Sequence, residues 1–283
     1  MCGSTPSPAR WSASTSDKEG STTPPSRAPV GRGGRAIQML LNCSWQGPAN
    51  DVDCQLWNQH RRHDDEGKRI PWGVIQIATD LVKNINGIDT VVMWDRDYQN
   101  GRLEESETYF RAQDDQGNVW HFGEVKEVYD EDNKLIGAKT WMEGRLGARA
   151  GIMIPGAPAV GTPSISQGLA LGVYKWDDRF QVRKVGEKVT VPAGTFENVL
   201  VVEEWSQPEL AKGAQQLKYY APGIGYVSVG WEGHDPTKET LELVKMTQLD
   251  AQEMDRVRAE VLELENRSYL YGRETRPLRR RGE

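Results

Sequence analysis

The chain has 283 residues, a formal net charge of −6 and no apolar run long enough to span a bilayer. The acidic balance argues against general nucleic-acid binding, and the lack of a long apolar run argues against a transmembrane helix. Residues 1–67 lack a periodic apolar pattern and are rich in small and polar residues, so we predict a disordered or poorly structured N-terminal segment.

The cysteines, Cys2, Cys43 and Cys54, all lie in this N-terminal segment. A Cys43–Cys54 disulfide would form only in an oxidising compartment, and the sequence leaves that pairing open. His60 and His63 have a spacing that metal ligands sometimes show, but no further Cys/His cluster completes a site. We therefore expect neither a metal nor another cofactor.

Residues 68–249 show short apolar and β-branched runs that alternate with turn residues about every 8–12 positions, which indicates consecutive antiparallel strands. Asn86-Gly87 and Asn100-Gly101 are the strongest hairpin signals. Residues 188–231 continue the pattern with two strand–turn–strand units. Their turns are built around Pro192-Ala193-Gly194 and Pro222-Gly223, where proline presets φ and glycine accepts positive φ.

Residues 141–172 interrupt the pattern with several glycines and prolines, and we predict a long ordered loop that crosses the sheet. Long loops are often functional.

A helix is predicted over residues 250–271, because Asp250 and Glu253 fit a capping box. The apolar residues that follow recur on one helical face: Met254, Val257, Val261 and Leu264. Residues 272–283 form a basic tail, either solvated or bound to an anionic surface.

These patterns predict an all-β fold with one C-terminal helix. The expected architecture is an antiparallel curved sheet, or half-barrel, built from consecutive hairpins with the helix packed on it.

The segment from Trp94 to Tyr98 is the most informative charged cluster, because it closes an apolar strand. Arg96 lies between Asp95 and Asp97 and forms either a structural ion pair or a site for an anionic ligand group. The two carboxylates, spaced i and i+2, share one face of a strand and are suited to acid–base chemistry.

Two sets of candidate site residues follow. The candidates for catalysis are Asp95, Asp97, His121, Glu143 and His234. Ten tryptophans against four phenylalanines fit either a β-sheet core or an aromatic-lined groove. The candidates for ligand binding in such a groove are Trp94, Arg96, Trp120, Trp141 and Tyr220.

Several runs resemble a family of uncharacterised exported bacterial proteins over residues 68–270. They occupy residues 85–97, 117–123, 147–155, 191–196 and 218–225. The last two, Pro-Ala-Gly-Thr-Phe and Tyr-Ala-Pro-Gly-Ile-Gly, are also similar to those of lipoprotein-carrier half-barrels. The resemblance implies an extracytoplasmic location and assigns no reaction. Residues 1–67 depart from it, because an export signal is expected there.

Three functional hypotheses follow. The leading one is an exported protein that binds a small apolar or amphipathic ligand in an aromatic-lined apolar cavity. The second is a hydrolase of an ester, lactone or glycoside that uses carboxylate and histidine residues at the rim of the sheet. The third is a structural envelope or interaction protein that uses an exposed sheet edge and the helix.

Overall fold

The computed structural model describes residues 54–63, 69–172, 176–206, 214–233, 238–271 and 278–281. The described strands of the N-terminal half are β1 (Cys54–His63), β2 (Arg69–Ile85), β3 (Ile88–Gln99), β4 (Arg102–Gln113), β5 (Val119–Tyr129), β6 (Leu135–Met142) and β7 (Arg149–Ile154). Those of the C-terminal half are β8 (Ile165–Ser166), β9 (Gly168–Leu169), β10 (Arg179–Val191), β11 (Gly194–Trp205), β12 (Ala214–Ala221), β13 (Gly225–Gly233), β14 (Thr240–Gln248) and β15 (Arg279–Arg280). Helix α1 (Ala251–Tyr271) precedes β15.

The strands form one antiparallel, curved sheet that does not close into a barrel. Its order is β8–β10–β11–β12–β13–β14–β1–β2–β3–β4–β5–β7–β9, with β6 paired to β5 and β15 paired to β2. Most neighbours in this order are also neighbours in sequence, so consecutive hairpins build the sheet. The predicted all-β fold with a C-terminal helix is confirmed.

The two Asn-Gly hairpins adopt the geometry that their sequence predicts. Asn86 and Gly87 have φ of 49° and 87°, and Asn100 and Gly101 have φ of 51° and 80°. Positive φ at both central residues gives the tight turn whose twist matches that of the flanking strands. The turns therefore align β2 with β3 and β3 with β4.

Strand β1 lies inside the segment that the sequence predicts to be disordered or poorly structured, and there the prediction is wrong. Its backbone pairs with β14 on one side and with β2 on the other. Two backbone ladders hold this strand although its sequence lacks a clear apolar alternation. Residues 1–53 lie outside the described residues, and with them Cys43 and the Cys43–Cys54 pairing that the sequence leaves open.

The segment 141–172 is not a long loop, which corrects a second prediction. It contains β7, which pairs with β5, and the short strands β8 and β9. Gly151 makes this possible, because a Cβ built there would lie 2.2 Å from the Gly168 nitrogen. Residues 165–169, which we call the strap, join the two ends of the sheet: β8 pairs with β10 and β9 pairs with β7.

Helix α1 begins with the predicted capping box. The Asp250 carboxylate accepts a hydrogen bond from the Glu253 backbone N–H at 2.8 Å, and the Glu253 carboxylate accepts one from the Asp250 N–H at 2.8 Å. The helix buries the predicted apolar face, Met254, Val257, Val261 and Leu264, against core residues of the sheet that include Trp94 and Phe110. Within the described residues, no helix has both the length and the apolar composition needed to cross a membrane.

The predicted basic tail is also partly ordered. Arg279 and Arg280 form β15 and pair with Val82 and Leu81 of β2. The Arg279 guanidinium forms an ion pair with Asp89, so at least this part of the tail is a component of the sheet.

Candidate functional site

A polar pocket lies where the two arms of the curved sheet, β2–β4 and β12–β14, face each other. Its volume is about 140 Å³, the space of roughly four to five water molecules at about 30 Å³ each. The charged residues of its wall are Asp95, Asp97, Glu105, Glu107, Lys218 and Glu239. This pocket is not the aromatic-lined apolar cavity that the sequence predicts, because five of the side chains that line it are carboxylates.

Four of these carboxylates form two cross-strand pairs. Asp95 lies directly opposite Glu107, and Asp97 lies directly opposite Glu105, in the ladder between β3 and β4. Alternation along each strand brings all four side chains to one face. Like charges placed directly opposite on neighbouring strands destabilise a sheet, so the wall of the pocket carries a local electrostatic cost.

A β-bulge creates this arrangement. The Asn100-Gly101 turn pairs Gln99 with Arg102 and Tyr98 with Leu103, but the next pair joins Asp97 to Glu105. The register therefore shifts by one residue at Glu104. Bulges re-aim side chains and are common beside functional sites. Here the shift places Glu105 and Glu107, rather than their neighbours in sequence, opposite the aspartates.

Asp95 is held by hydrogen bonds from two strands. Gln76 Nε2 donates to one carboxylate oxygen at 2.9 Å, and the Tyr109 hydroxyl donates to the other at 3.1 Å. The Gln76 amide also donates to the Tyr226 hydroxyl. Burial raises the pKa of Asp95 to about 7, although both hydrogen bonds and the nearby Arg111 charge oppose the shift. Asp95 can thus exchange a proton near neutral pH.

Asp97 and Glu107 are the open acceptors of the pocket. Within the described part of the chain, neither carboxylate has a hydrogen-bond or ion-pair partner. Burial raises the pKa of Asp97, and the charge of Asp95 raises it further. Burial likewise raises the pKa of Glu107, with a contribution from the Glu124 carboxylate. Both groups have a strong preference for a cation or a proton beside them.

The two lysines beside the pocket are already paired. Lys126 Nζ lies 2.5 Å from Glu105 Oε1, and Lys218 forms an ion pair with Glu204. Burial alone would lower the pKa of each lysine, but the neighbouring carboxylates outweigh it and raise both pKa values. The lysines therefore stay charged and form their direct ion pairs with Glu105 and Glu204. Their charges, with that of Arg111, also act on Asp95, Asp97 and Glu107 at longer range.

Arg96 points away from both aspartates. Its guanidinium lies 4.2 Å from the centroid of the Trp94 ring and 3.8 Å from the Glu260 carboxylate of helix α1. The alternation of the strand puts Asp95 and Asp97 on the pocket face and Arg96 on the helix face. Neither predicted role, an ion pair with the aspartates or an anion site at their side, fits this position.

His121 is in the protein interior, with 1% of its surface exposed. Its Nε2 lies 3.0 Å from the Gly123 carbonyl oxygen, and its ring centroid is 4.9 Å from that of Trp141. Burial lowers its pKa, and the Arg111 charge lowers it further. The imidazole is neutral and does not line the pocket. Tyr109 lies between it and Asp95.

Of the two remaining predicted catalytic residues, the structure describes Glu143, which does not line the pocket. The Glu143 carboxylate accepts a hydrogen bond from the Ala150 backbone N–H and braces the turn between β6 and β7. His234 lies outside the described residues. Of the four candidates that the structure describes, it brings together Asp95 and Asp97.

The predicted aromatic ligand-binding residues are core residues. Trp94, Trp120, Trp141 and Tyr220 are between 3% and 7% exposed, and none of them lines the pocket. Trp94 donates its indole N–H to Ser106 at 3.0 Å, and Trp120 donates to Asp114 at 2.8 Å. Packing in the core accounts for all four residues, and internal hydrogen bonds add to it at Trp94 and Trp120.

Sequence reasoning missed Glu105, Glu107, Lys218 and Tyr226. The alternation of acidic residues along β4 was a usable signal, since it places Glu105 and Glu107 on one face. The sequence does not show the bulge that pairs these glutamates with Asp97 and Asp95. It also does not show the curvature of the sheet that brings Lys218 of β12 and Tyr226 of β13 to the same pocket. Over the residues that the structure describes, no group of three or more His, Cys, Asp or Glu side chains is arranged to hold a metal ion.

No protein-family model and no curated protein matches the chain. Similar solved structures include a "putative exported protein with YmcC-like fold" from Bacteroides fragilis, with 15% identity, a TM-score of 0.40 and coverage of 69% of this chain and 95% of that one. Another is a "putative lipoprotein" from Parabacteroides distasonis, with 10% identity, a TM-score of 0.35 and coverage of 68% and 95%. Neither assigns an activity to this chain.

Proposed function

We propose that this protein is an exported ligand-binding protein whose acidic pocket takes a small polar ligand that carries a protonated amino group. The observation that supports the proposal is the double row of carboxylates, Asp95 opposite Glu107 and Asp97 opposite Glu105, in the wall of a cavity. Such a row lowers the stability of the sheet when no cation faces it. A cationic ligand removes that cost on binding.

The charge balance of the pocket favours a cation over a neutral or anionic ligand. Lys126 and Lys218 form their direct ion pairs with Glu105 and Glu204, and their charges offset those of the remaining carboxylates only in part, since the pKa values of Asp95, Asp97 and Glu107 stay raised. Asp97 and Glu107 keep their acceptor oxygens available. An ammonium group offers three donors and a full positive charge, and charge-assisted hydrogen bonds are roughly twice as strong as neutral ones.

The dimensions of the pocket favour a small ligand or one end of a larger one. A volume of about 140 Å³ is below the roughly 300–1,000 Å³ of pockets that enclose drug-sized molecules. The apolar and aromatic residues of the wall are Tyr226, Val229 and Leu241 on one arm and Val74 on the other. They supply apolar contacts for a short carbon chain or a ring.

An extracytoplasmic location is part of the proposal. It rests on the resemblance of residues 68–270 to exported bacterial proteins. It is tested separately from ligand binding, by fractionation of cells that produce the full-length protein with its own N-terminus. Recovery in the cytoplasmic fraction alone would contradict the extracytoplasmic location and would leave the proposed ligand class unaffected.

Matched pairs of probes test the ligand class. Putrescine and glucosamine carry amino groups, whereas the diol of the same carbon chain and glucose are their neutral counterparts. We expect saturable binding of at least one amine by calorimetry and none by its neutral counterpart. Asp97→Asn/Glu107→Gln should weaken that binding by about tenfold or more, because two charged acceptors are removed.

The control variant makes the same chemical changes elsewhere. Asp115→Asn/Glu131→Gln alters two exposed turn carboxylates and should leave binding unchanged. Equal binding of amines and neutral probes, or full binding by the pocket variant, would refute the ligand class. Absence of binding by every probe would refute a small-amine site.

Hydrolysis is a second candidate function, favoured by one observation. A carboxyl group with a pKa of about 7, as at Asp95, can act as a general acid or base near neutral pH. Asp95→Asn should then abolish turnover of a chromogenic ester or glycoside, and it should also weaken amine binding, because Asp95 belongs to the carboxylate row of the pocket. Turnover that persists in this variant would exclude Asp95 as the catalytic group.

A further inference from the structure

Two exposed leucines lie on neighbouring segments, and neither lines the acidic pocket. Leu146, in the turn between β6 and β7, is 81% exposed, and Leu171, just after β9, is 60% exposed. The segments touch, since a Cβ built on Gly172 would lie 3.4 Å from the Leu146 carbonyl oxygen. We call Leu146 and Leu171 the leucine tip.

The turn holds Leu146 outward in a strained conformation. Leu146 has a φ of 50°, between Gly144 at 77° and Gly147 at 80°. A left-handed backbone is unfavourable for a side chain as bulky as leucine and is better suited to asparagine or glycine. Hydrogen bonds from Gly144 N to the Ala148 carbonyl at 3.0 Å and from Ala148 N to the Arg145 carbonyl at 2.8 Å fix the turn. Strain that the surroundings enforce is a feature of functional segments.

Two exposed arginines flank Leu146 in the sequence. Arg145 and Arg149 are exposed on either side of Leu146, and Arg149 has no ion-pair partner among the residues that the structure describes. The carboxylate of the same turn, Glu143, is directed inward to the Ala150 N–H. An apolar point with a basic rim is complementary to anionic headgroups above a hydrocarbon layer.

We propose that the leucine tip docks on an anionic lipid surface, with Leu146 and Leu171 entering the interface and Arg149 facing the phosphates. This inference is independent of the proposed ligand. A second protein is a poorer fit, because a stable protein interface buries roughly 800 Å² on each partner. Two leucine side chains supply only a small part of that area.

Vesicle co-sedimentation of the full chain tests the proposal. We expect binding to vesicles of equal parts phosphatidylglycerol and phosphatidylcholine, and much weaker binding to phosphatidylcholine alone. Leu146→Asn/Leu171→Ser should lower the partition coefficient by about tenfold or more, because two apolar side chains no longer enter the lipid. Arg149→Gln should lower it by about fivefold.

Leu146→Asn also separates docking from folding. Asparagine tolerates positive φ, so this variant should melt at the same temperature as the parent or higher while binding vesicles less. Leu270→Ser, which removes an 86% exposed leucine at the end of helix α1, is the matched control and should bind normally. No vesicle binding by the parent, equal losses in the control, or a dimer that dissociates on Leu146→Asn substitution would each overturn the proposal.

Discussion

Lys83 on β2 and Glu265 on helix α1 form an ion pair inside the protein, with Nζ and Oε1 2.5 Å apart and side-chain exposures of 0% and 4%. Tyr269 donates a hydrogen bond to the same carboxylate oxygen at 2.8 Å. Burial lowers the pKa of Lys83, and the Glu265 charge opposes that shift. The pair joins the helix to the sheet, at the expense of removing two charges from water.

Breaking this pair on one side should be more damaging than removing it entirely. Lys83→Met leaves Glu265 buried without its cation and should cost about 3–5 kcal/mol in the free energy of unfolding. The double variant Lys83→Met/Glu265→Leu should recover most of that loss. Urea denaturation monitored by circular dichroism measures both. Lys188→Met, which breaks an exposed pair with Glu197, is the control and should change stability by less than about 1 kcal/mol.

Glu127 provides a second connection between sheet and helix, and this one should be sensitive to acid. It accepts hydrogen bonds from Arg267 at 2.8 to 3.1 Å and from Tyr271 at 2.9 Å. Burial alone would raise its pKa, but the bonds from Arg267, Tyr129 and Tyr271 outweigh burial and lower it. The folded state thus releases this proton more readily than the unfolded state, so its contribution is present above the unfolded pKa and is lost as the pH falls through the folded pKa.

Glu127→Gln should therefore destabilise the protein by about 2–3 kcal/mol near neutral pH, and by much less in acid, where the parent has lost the same charge. Paired urea titrations at about pH 7 and about pH 3 measure the difference. A loss of equal size at both values would show that packing, and not ionisation, is responsible.

Asp95 should have the opposite pH dependence. Its carboxyl has a pKa of about 7 in the folded protein and about 4 in the unfolded chain. Between these values the folded state holds a proton that the unfolded state has released, so stability falls as the pH rises through this window. Asp95→Asn should raise the stability at about pH 8 by about 1–2 kcal/mol after allowance for partial exposure. It should have little effect at about pH 4.

Differential scanning fluorimetry of the parent and Asp95→Asn across this range tests that prediction. Cation binding at Asp97 and Glu107 should also weaken as the pH falls below about 7, since Asp95 and its neighbours take up protons. The groups that set this titration are Gln76 on β2, Tyr109 and Arg111 on β4, Lys218 on β12 and Tyr226 on β13. A stability difference that is independent of pH would contradict the assigned ionisation.

Gly151, the glycine of β7, should be difficult to replace. An added Cβ would lie 2.2 Å from the Gly168 nitrogen and 2.4 Å from the Ser166 carbonyl oxygen, and backbone cannot rotate away as a side chain can. We expect Gly151→Ala to cost about 1–3 kcal/mol or more and to expose the strap to proteolysis. Gly137→Ala meets nothing closer than Val128 Cβ at 3.8 Å and should be tolerated. Thermal melts with limited proteolysis compare the two.

Local signals in the sequence predicted the local structure well. The Asn86-Gly87 and Asn100-Gly101 turns, the Asp250–Glu253 capping box and the apolar face of helix α1 each depend on residues close together in the chain. Their geometry follows from backbone preferences and helical periodicity. Asp95 and Asp97 were found for the same reason, because alternation alone puts them on one face.

The features that the sequence did not predict depend on distant parts of the chain. Strand β1 has a weak pattern of its own and is ordered by two backbone neighbours. Strand β7 exists because Gly151 lets the strap approach. The pocket needs a bulge of one residue at Glu104 to bring Glu105 opposite Asp97. No local sequence preference of that segment predicts this bulge. Register of this kind is set by tertiary context.

The position of β1 has a consequence for how the chain folds. This strand, near the start of the described residues, is the only hydrogen-bonded link in the described strand order between β14 and β2, and Cys54 pairs with Gln248 close to the other end. Contacts between segments so far apart in sequence slow folding, because a long loop must close before they form. During synthesis β1 emerges long before β14 exists. A chain that stops short of Thr240 would leave β1 with one free edge, and such edges promote aggregation.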